Sequence, residues 1–475
     1  MVVIEMYPAY GKVIGGSKDL HNAIQDACKF KVQGAEMSEL YRKHRWDGYK
    51  KLYNKSTHRF PQGLLGNVLD VIEAHRLKVE IKYMYECPFL DFSSSLPMTG
   101  AKLRNYQEEA IEKALEAQRG IIQVATGGGK TVIASGLIAK LNAPTLFMVH
   151  TRDLLYQAKS SFEDILGVPI GQIGDGVVDP HQITVATTQS IAMYMGIKCN
   201  IEDKTENMTL CGDRSEIVAE VVNNTKLVIW DEVHRIACDM ACAVADIINA
   251  PYRIGLSASP WRDDGCDMMM HGAIGPVIYR LSASDLISMG YLVKPTIVMQ
   301  SMTDISTAFE YASIYKQQVV DNKMRNQWIV EKAIKEVGVG RPTLILVKQI
   351  SHGRTLQKML KQQWGDVDFL SGKDSSFYRK TTIEKMKEGS IDILIASTIA
   401  DEGLDIPRIA SVILAGGGKS STKALQRVGR ALRLYEGKKE AIIYDIWDQS
   451  PYLKEQGLKR EEIYKTEKEF EVWRF

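Results

Sequence analysis

No run of about 18 apolar residues occurs in the 475-residue chain, which argues against a membrane-spanning helix. Cysteine is sparse. The seven are Cys28, Cys87, Cys199, Cys211, Cys238, Cys242 and Cys266, and no two form a C-x-x-C pair. An odd, scattered set argues against a disulfide framework and for reduced thiols. Cys238 and Cys242, four apart on an expected helix, read as small buried apolar residues rather than metal ligands. An excess of either charge is missing as well: 60 Lys+Arg against 58 Asp+Glu leave a formal net charge of +2. A protein that grips nucleic acid with its whole surface is thereby excluded, so any such grip must be local. Low-complexity segments are absent, and the opening MVVIEMYPAYGKVIGG sets no basic segment before an apolar core. The expectation is a soluble, cytoplasmic protein.

What is present is an ordinary globular composition, 45% hydrophobic and 25% charged, in a chain long enough for about three domains. Residues 1 to about 98 are rich in aromatic and basic residues and end in the loop-like DFSSSLPMTG. Short apolar runs then alternate with helix-length segments: IIQVA, TLFMVH, ITVAT, KLVIWD and RIGLSA. Val/Ile-rich runs so spaced predict a parallel sheet covered on both faces. A second series follows from about residue 296: TIVMQS, TLILVK, IDILIAS, ASVILAG and EAIIYDI. The expected fold class is α/β. It comprises a small N-terminal α+β domain over residues 1–98, a first parallel-sheet lobe over 99–290, and a second over 291–475 with a C-terminal helix. Residues 195–226 read as a polar insertion. The mixed-sign KEQGLKREEIYKTEKEF predicts a solvated helix packed on the second lobe.

Three segments carry chemistry. In ATGGGKT, Thr126, Gly127, Gly128 and Gly129 allow backbone N–H groups to approach an anion, and the helix that follows adds its positive end. Lys130 can reach terminal phosphates and the Thr131 hydroxyl can bind Mg²⁺. The usual spacing places a first glycine where Val124 stands. In KLVIWDEVH, Asp231 and Glu232 end an apolar strand. One carboxylate holds the metal; the other orients and deprotonates water. In ALQRVGRALRLY, Gln426, Arg430 and Arg433 are spaced to share one face of a helix, read either as a solvated basic stripe or as fingers for a γ-phosphoryl group.

In order and spacing, these segments resemble the motif series of superfamily 2 helicases over about residues 100 to 450. LRNYQ resembles the Q-motif, ATGGGKT motif I, VHTRDLL Ia, TTQS Ib, DEVH II, SASP III, STIADEGLDIP V and QRVGRALR VI. The resemblance implies two RecA-like lobes and ATP with Mg²⁺ as cofactors. Arg104 and Gln107 would belong to the nucleotide site, Gln107 reading the adenine edge. Gly403 and Asp405 of GLDIP would also belong to it, Asp405 contacting the ribose or else capping its own loop. Gln426 would position water, and Arg430 and Arg433 would stabilise charge. The segment after motif III, with Arg262, Asp263 and Asp264, is similar to helicases of the XPB type. RWDGYKKLY and FPQGLLGNV look like the first domain of UvsW-type phage helicases, which remodel branched DNA.

For nucleic acid, the motifs imply Arg152, Thr188, Gln189 and Thr398 along a strand track, although each hydroxyl could equally be a strand-end turn residue. YRKHRWDGYKKLYNKSTHRF adds Arg42, Lys43, Arg45, Lys50 and Lys51 with Trp46 among other aromatics. Such residues supply phosphate affinity and stacking; alternatively they form a two-stranded ribbon with aromatics on a small core and charges in water. The expected activity is ATP hydrolysis coupled to unwinding or branch migration of DNA by a monomer, in a host's cytoplasm if phage-encoded. An RNA-directed helicase and a nucleotide-gated DNA clamp are the rivals. Because residues 1–98 hold no ATPase element, a chain starting near Met98 is expected to fold and keep its ATPase.

Overall fold

Alternation of apolar and polar residues at the start of the chain produces a sheet with one covered face. In space its strands run Arg59–Pro61, Tyr10–Ile14, Val2–Met6, Val79–Tyr83. Val2–Met6 pairs antiparallel with Tyr10–Ile14 and parallel with Val79–Tyr83. Val2, Ile4 and Met6 point to the covered side, where Leu20 and Ile24 of the helix Lys18–Ala27 and Val68 and Ile72 of Leu65–Ala74 complete a core. Ser17 caps the first of these helices, accepting the Leu20 N–H at 3.2 Å.

The computed structural model describes residues 1–86, 95–197, 212–259, 265–303, 308–397, 406–418 and 421–475. By internal contact the chain falls into two units: Met1–Val124 with Gly129–Arg280, and Ala125–Gly128 with Leu281–Phe475. Among the described residues no helix is long and apolar enough to cross a membrane.

The first unit joins the N-terminal sheet to a larger one. Its eight strands run Val177–Asp179, Gly171–Gly174, Ile183–Thr187, Thr145–Val149, Leu227–Trp230, Tyr252–Ser257, Arg119–Val124, Val277–Leu281. From Gly171–Gly174 to Arg119–Val124 the pairings are parallel, so catalytic loops at strand carboxyl ends gather on one edge. The part of the polar insertion that is described forms the helix Asp213–Asn224, whose Val218 and Val222, one turn apart, are buried in the sheet's core. The small sheet is welded on. A Cβ at Gly63 would meet the His271 carbonyl oxygen at 1.9 Å. The Arg119 guanidinium, anchored on the Ala273 and Ile274 carbonyls at 3.2 and 2.9 Å, also donates to the Pro8 carbonyl at 3.4 Å.

The second unit has seven strands in the order Asp368–Leu370, Ile393–Ala396, Thr343–Leu346, Ser411–Leu414, Glu440–Asp448, Lys294–Met302, Glu471–Arg474. All these neighbours pair in parallel. The C-terminal helix Leu453–Tyr464 does pack on this sheet, but through a buried ion pair. Arg460 Nε and Nη2 each donate at 2.7 Å to Asp445, and the Tyr464 hydroxyl donates to the same carboxylate at 2.8 Å.

Candidate nucleotide and nucleic-acid sites

The strand Arg119–Val124 ends in a turn whose backbone only glycine adopts easily. Gly127 and Gly129 stand at φ +91° and +77°, and the Gly128 N–H donates to the Ala125 carbonyl at 3.0 Å. The helix Lys130–Leu141 begins at once, so its uncommitted N–H groups open toward the turn. Thr131 is its second residue. Space is decisive too: a Cβ on Gly129 would lie 2.5 Å from Gln107 Nε2. Gln107 is buried, and its Oε1 accepts the Arg104 N–H at 3.0 Å, while Arg104 Nη1 donates to the Tyr106 hydroxyl at 3.1 Å. Gln107 thus forms the floor of the glycine turn as well as a candidate adenine reader.

Asp231 follows the last residue of Leu227–Trp230 and continues its ladder, donating N–H to the Met148 carbonyl at 3.0 Å. Its Oδ1 accepts the Glu232 N–H at 3.0 Å. Glu232 stands at φ +46°, ψ 56°, a left-handed conformation that costs a residue with a side chain free energy and is concentrated at functional sites. The bend puts Glu232 Oε1 3.7 Å from Lys130 Nζ and Oε2 3.4 Å from His234 Nδ1. His234 Nδ1 is also 3.3 Å from Ser257 Oγ, which accepts the Ser259 N–H at 3.1 Å. His234 and Ser257 were not among the sequence candidates. Their only signal is their position in DEVH and SASP.

Burial, and next the Glu232 charge, push the Asp231 carboxyl up to about 6, with Lys130 pulling the other way. A dication opposes both causes, and a carboxylate and a hydroxyl are oxygen donors of the kind Mg²⁺ takes. The cradle that a Cβ would fill and the half-buried acid therefore fit a Mg²⁺-bound nucleotide.

The expected helical stripe of motif VI is not formed. The helix Ser421–Gly429 contains Gln426 but ends before Arg430 and Arg433. Beyond it the chain tightens, with the Ala431 and Leu432 N–H groups donating to the Val428 and Gly429 carbonyls. The Leu432 carbonyl then accepts the Val293 N–H at 2.8 Å, and Arg433 bridges Leu292. This long-range pairing takes the backbone out of the helix. Arg430 is buried, and burial lowers the Arg433 pKa from its usual value. Thr398, Gly403, Asp405 and the Arg262-Asp263-Asp264 element lie outside the described residues.

The strand-track candidates separate. Arg152 opens the helix Arg152–Leu166 and ion-pairs with Asp175 at 2.8 Å. Thr188 is buried, its hydroxyl donating to the Val149 carbonyl at 3.3 Å, whereas Gln189 is exposed. The basic N-terminal stretch is not one ribbon. Arg42 and Lys43 belong to or follow the single turn Glu39–Arg42, and Tyr49–Lys51 pairs antiparallel with Lys29–Lys31. Tyr53 and Phe60 are core residues, while Arg45 is exposed and Trp46, half-buried, donates to the Tyr49 carbonyl at 2.9 Å. Lys43 and Lys51 pair with the local acids Glu39 and Asp47, and folding brings a distant one, Asp239, to Lys50 across 189 residues.

Comparison with known proteins agrees with this geometry. The family described as "Type III restriction enzyme, res subunit" matches residues 100–262, and "Helicase conserved C-terminal domain" matches 326–435. The DNA 3'-5' translocase XPB2 of Sulfurisphaera tokodaii is 28% identical over 73% of this chain and 81% of its own length. The ATP-dependent DNA helicase uvsW of Enterobacteria phage T4 is 24% identical over 90% of this chain and 86% of its own. Some relatives are longer: the match spans 64% of one from a Sulfolobus islandicus filamentous virus. Among solved structures, the ATP-dependent type ISP restriction-modification enzyme LlaBIII bound to DNA shares the fold at TM-score 0.57 and 15% identity, over 79% of this chain and 31% of that one. With both conserved domains matched and the parallel sheets of RecA-like lobes in both units, the chain belongs to the superfamily 2 helicases and resembles the phage protein uvsW.

Proposed function

We propose that this protein is an ATP-dependent DNA helicase or translocase that unwinds or branch-migrates forked and junction DNA. Residues 1–98, 99–290 and 291–475 would act as DNA-recognition domain, nucleotide-binding lobe and second motor lobe. The observation that carries the reading is the convergence of Lys130, Asp231, Glu232, His234 and Ser257 beside a glycine turn where a Cβ at Gly129 would meet Gln107. Lys130 and Thr131 would hold phosphate and Mg²⁺, with Asp231 as the metal's carboxylate. Bound Mg²⁺ supplies charge neutralisation to phosphate oxygens. Glu232, oriented by its bent backbone and by His234, takes a proton from water at its carboxylate. Gln426, Arg430 and Arg433 keep the roles the family resemblance implies. Relatives named as a DNA translocase and a DNA helicase favour DNA over RNA.

The test is ATPase stimulation and strand separation on matched duplex, fork, four-way junction and RNA substrates. The reading expects forks and junctions to give the highest rates. Stimulation by RNA alone would replace it with the RNA-directed alternative, and binding of DNA without turnover would leave a nucleotide-gated clamp.

A further inference from the structure

The second sheet carries a surface that none of the motifs uses. The strands Thr343–Leu346, Ser411–Leu414 and Glu440–Asp448 are parallel neighbours, so their carboxyl ends share one edge, where α/β sheets receive ligands. Lys348 lies just beyond the first strand, Gly416 beyond the second and Tyr452 beyond the third. The short helix Tyr311–Tyr315 stands over them. Tyr315 is buried, and its hydroxyl donates to the Gly416 carbonyl at 2.8 Å. Tyr311 lies across it with ring centroids 5.9 Å apart, and Tyr452 meets Tyr311 edge-on at 6.2 Å. The exposed Lys348 ammonium sits 5.5 and 5.3 Å from the Tyr311 and Tyr315 ring centroids.

Two features separate this cluster from ordinary core packing. Tyr452 is held at φ +63°, ψ −44°, which is unfavourable for a bulky side chain, yet the residue is 49% exposed. A large aromatic is kept in a strained conformation and half in water. Lys348 also makes the surface cationic where it is aromatic. An unpaired strand of DNA matches both properties, since its bases offer π faces and its phosphates negative charge. A duplex does not, because its bases are already stacked on one another.

We propose that Tyr311, Tyr452 and Lys348 form a stacking step for unpaired bases of a DNA single strand, with Tyr315 as its buried support. This rests on the DNA reading above. The test measures binding of the full-length protein to an oligo-dT strand and to an abasic deoxyribose-phosphate strand of equal length. Tyr311→Leu combined with Tyr452→Gly, which removes the rings and relieves the backbone, is expected to weaken oligo-dT binding roughly 10-fold or more. The abasic strand should bind as before. Tyr452→Phe should bind oligo-dT like wild type, and Lys348→Gln should weaken both strands and lower the salt slope by about one. Tyr452→Ala gives a second ring-free variant should glycine lower the melting temperature. The proposal is overturned if folded ring-free variants bind both strands like wild type, or lose both equally. Failure of the DNA reading itself looks different: wild type then binds neither strand, and the stacking step falls with it.

Discussion

At the scale of single residues, function depends on a few side chains whose surroundings make them reactive. Glu232 faces Lys130 and His234. Glu232→Gln is expected to bind ATP but hydrolyse it about 10²–10⁴-fold more slowly, while Lys130→Ala should weaken nucleotide binding itself. Separate measurements of nucleotide affinity and phosphate release distinguish the two, and a wild-type rate in Glu232→Gln would refute its role as base. His352 gives a pH prediction. It is fully buried, with Nε2 2.8 Å from Asn326 Oδ1. Burial, then the Arg325 charge, hold its imidazole down at about 3. The unfolded chain binds a proton here that the folded one refuses, so this stability is present above about pH 6.5 and lost as pH falls toward 3. The loss is roughly 1.4 kcal/mol per pH unit in that window. His352→Gln should flatten the acid limb of a melting-temperature profile between pH 6.5 and 4, and an unchanged limb would assign acid lability elsewhere.

At the scale of elements, every apolar run of the two series forms a strand, because Val/Ile-rich segments bounded by helix-length patterns have few other ways to bury both faces. What local pattern did not reveal were elements defined by partners. The short strands Gly171–Gly174 and Val177–Asp179 exist through the hairpin they make and the sheet edge they join. The helix of motif VI stops at Gly429 because Leu432 and Arg433 are claimed by residues 292–293, distant in sequence. The finger assignment survives that correction as a testable statement. Arg430→Ala and Arg433→Ala should each cut hydrolysis by about 10³-fold or more while DNA binding without nucleotide persists; unaffected turnover in both would return them to structural duty. The C-terminal helix gives a stability prediction. Arg460→Met leaves Asp445 buried with one hydrogen-bond donor side chain, Tyr464, in place of two, and should cost about 3–5 kcal/mol. Denaturant unfolding reads that loss, and a shift under 1 kcal/mol would mean that the pair is dispensable.

At the scale of the whole molecule, the N-terminal sheet does not behave as an appendage. Gly63 against His271 and Arg119 against the Pro8 carbonyl make it part of the first unit. A chain starting near Met98 should keep its ATPase elements but melt several degrees lower than the full protein, since it uncovers this seam. Equal melting temperatures would show that the seam contributes nothing. Neutralising Arg42, Lys43, Arg45, Lys50 and Lys51 together should weaken binding to forks and lower the salt slope by less than five, because three of these cations already have acidic partners. A fork affinity and slope equal to wild type would remove the stretch from DNA recognition.

The sequence by itself determined the two series of buried parallel strands, the glycine turn before Lys130 and the paired acids at the end of Leu227–Trp230. These are local: period, composition and spacing specify them whatever the rest of the chain does. Tertiary structure alone decided the left-handed bend at Glu232 that faces it to His234, the end of the motif VI helix, the Arg460–Asp445 pair and the acid beneath Lys50. The end of the motif VI helix and the Lys50–Asp239 pair join residues far apart in the chain, the Arg460–Asp445 pair depends on how the C-terminal helix docks on its strand, and no spacing along the chain encodes which side chains such packing brings within hydrogen-bonding distance.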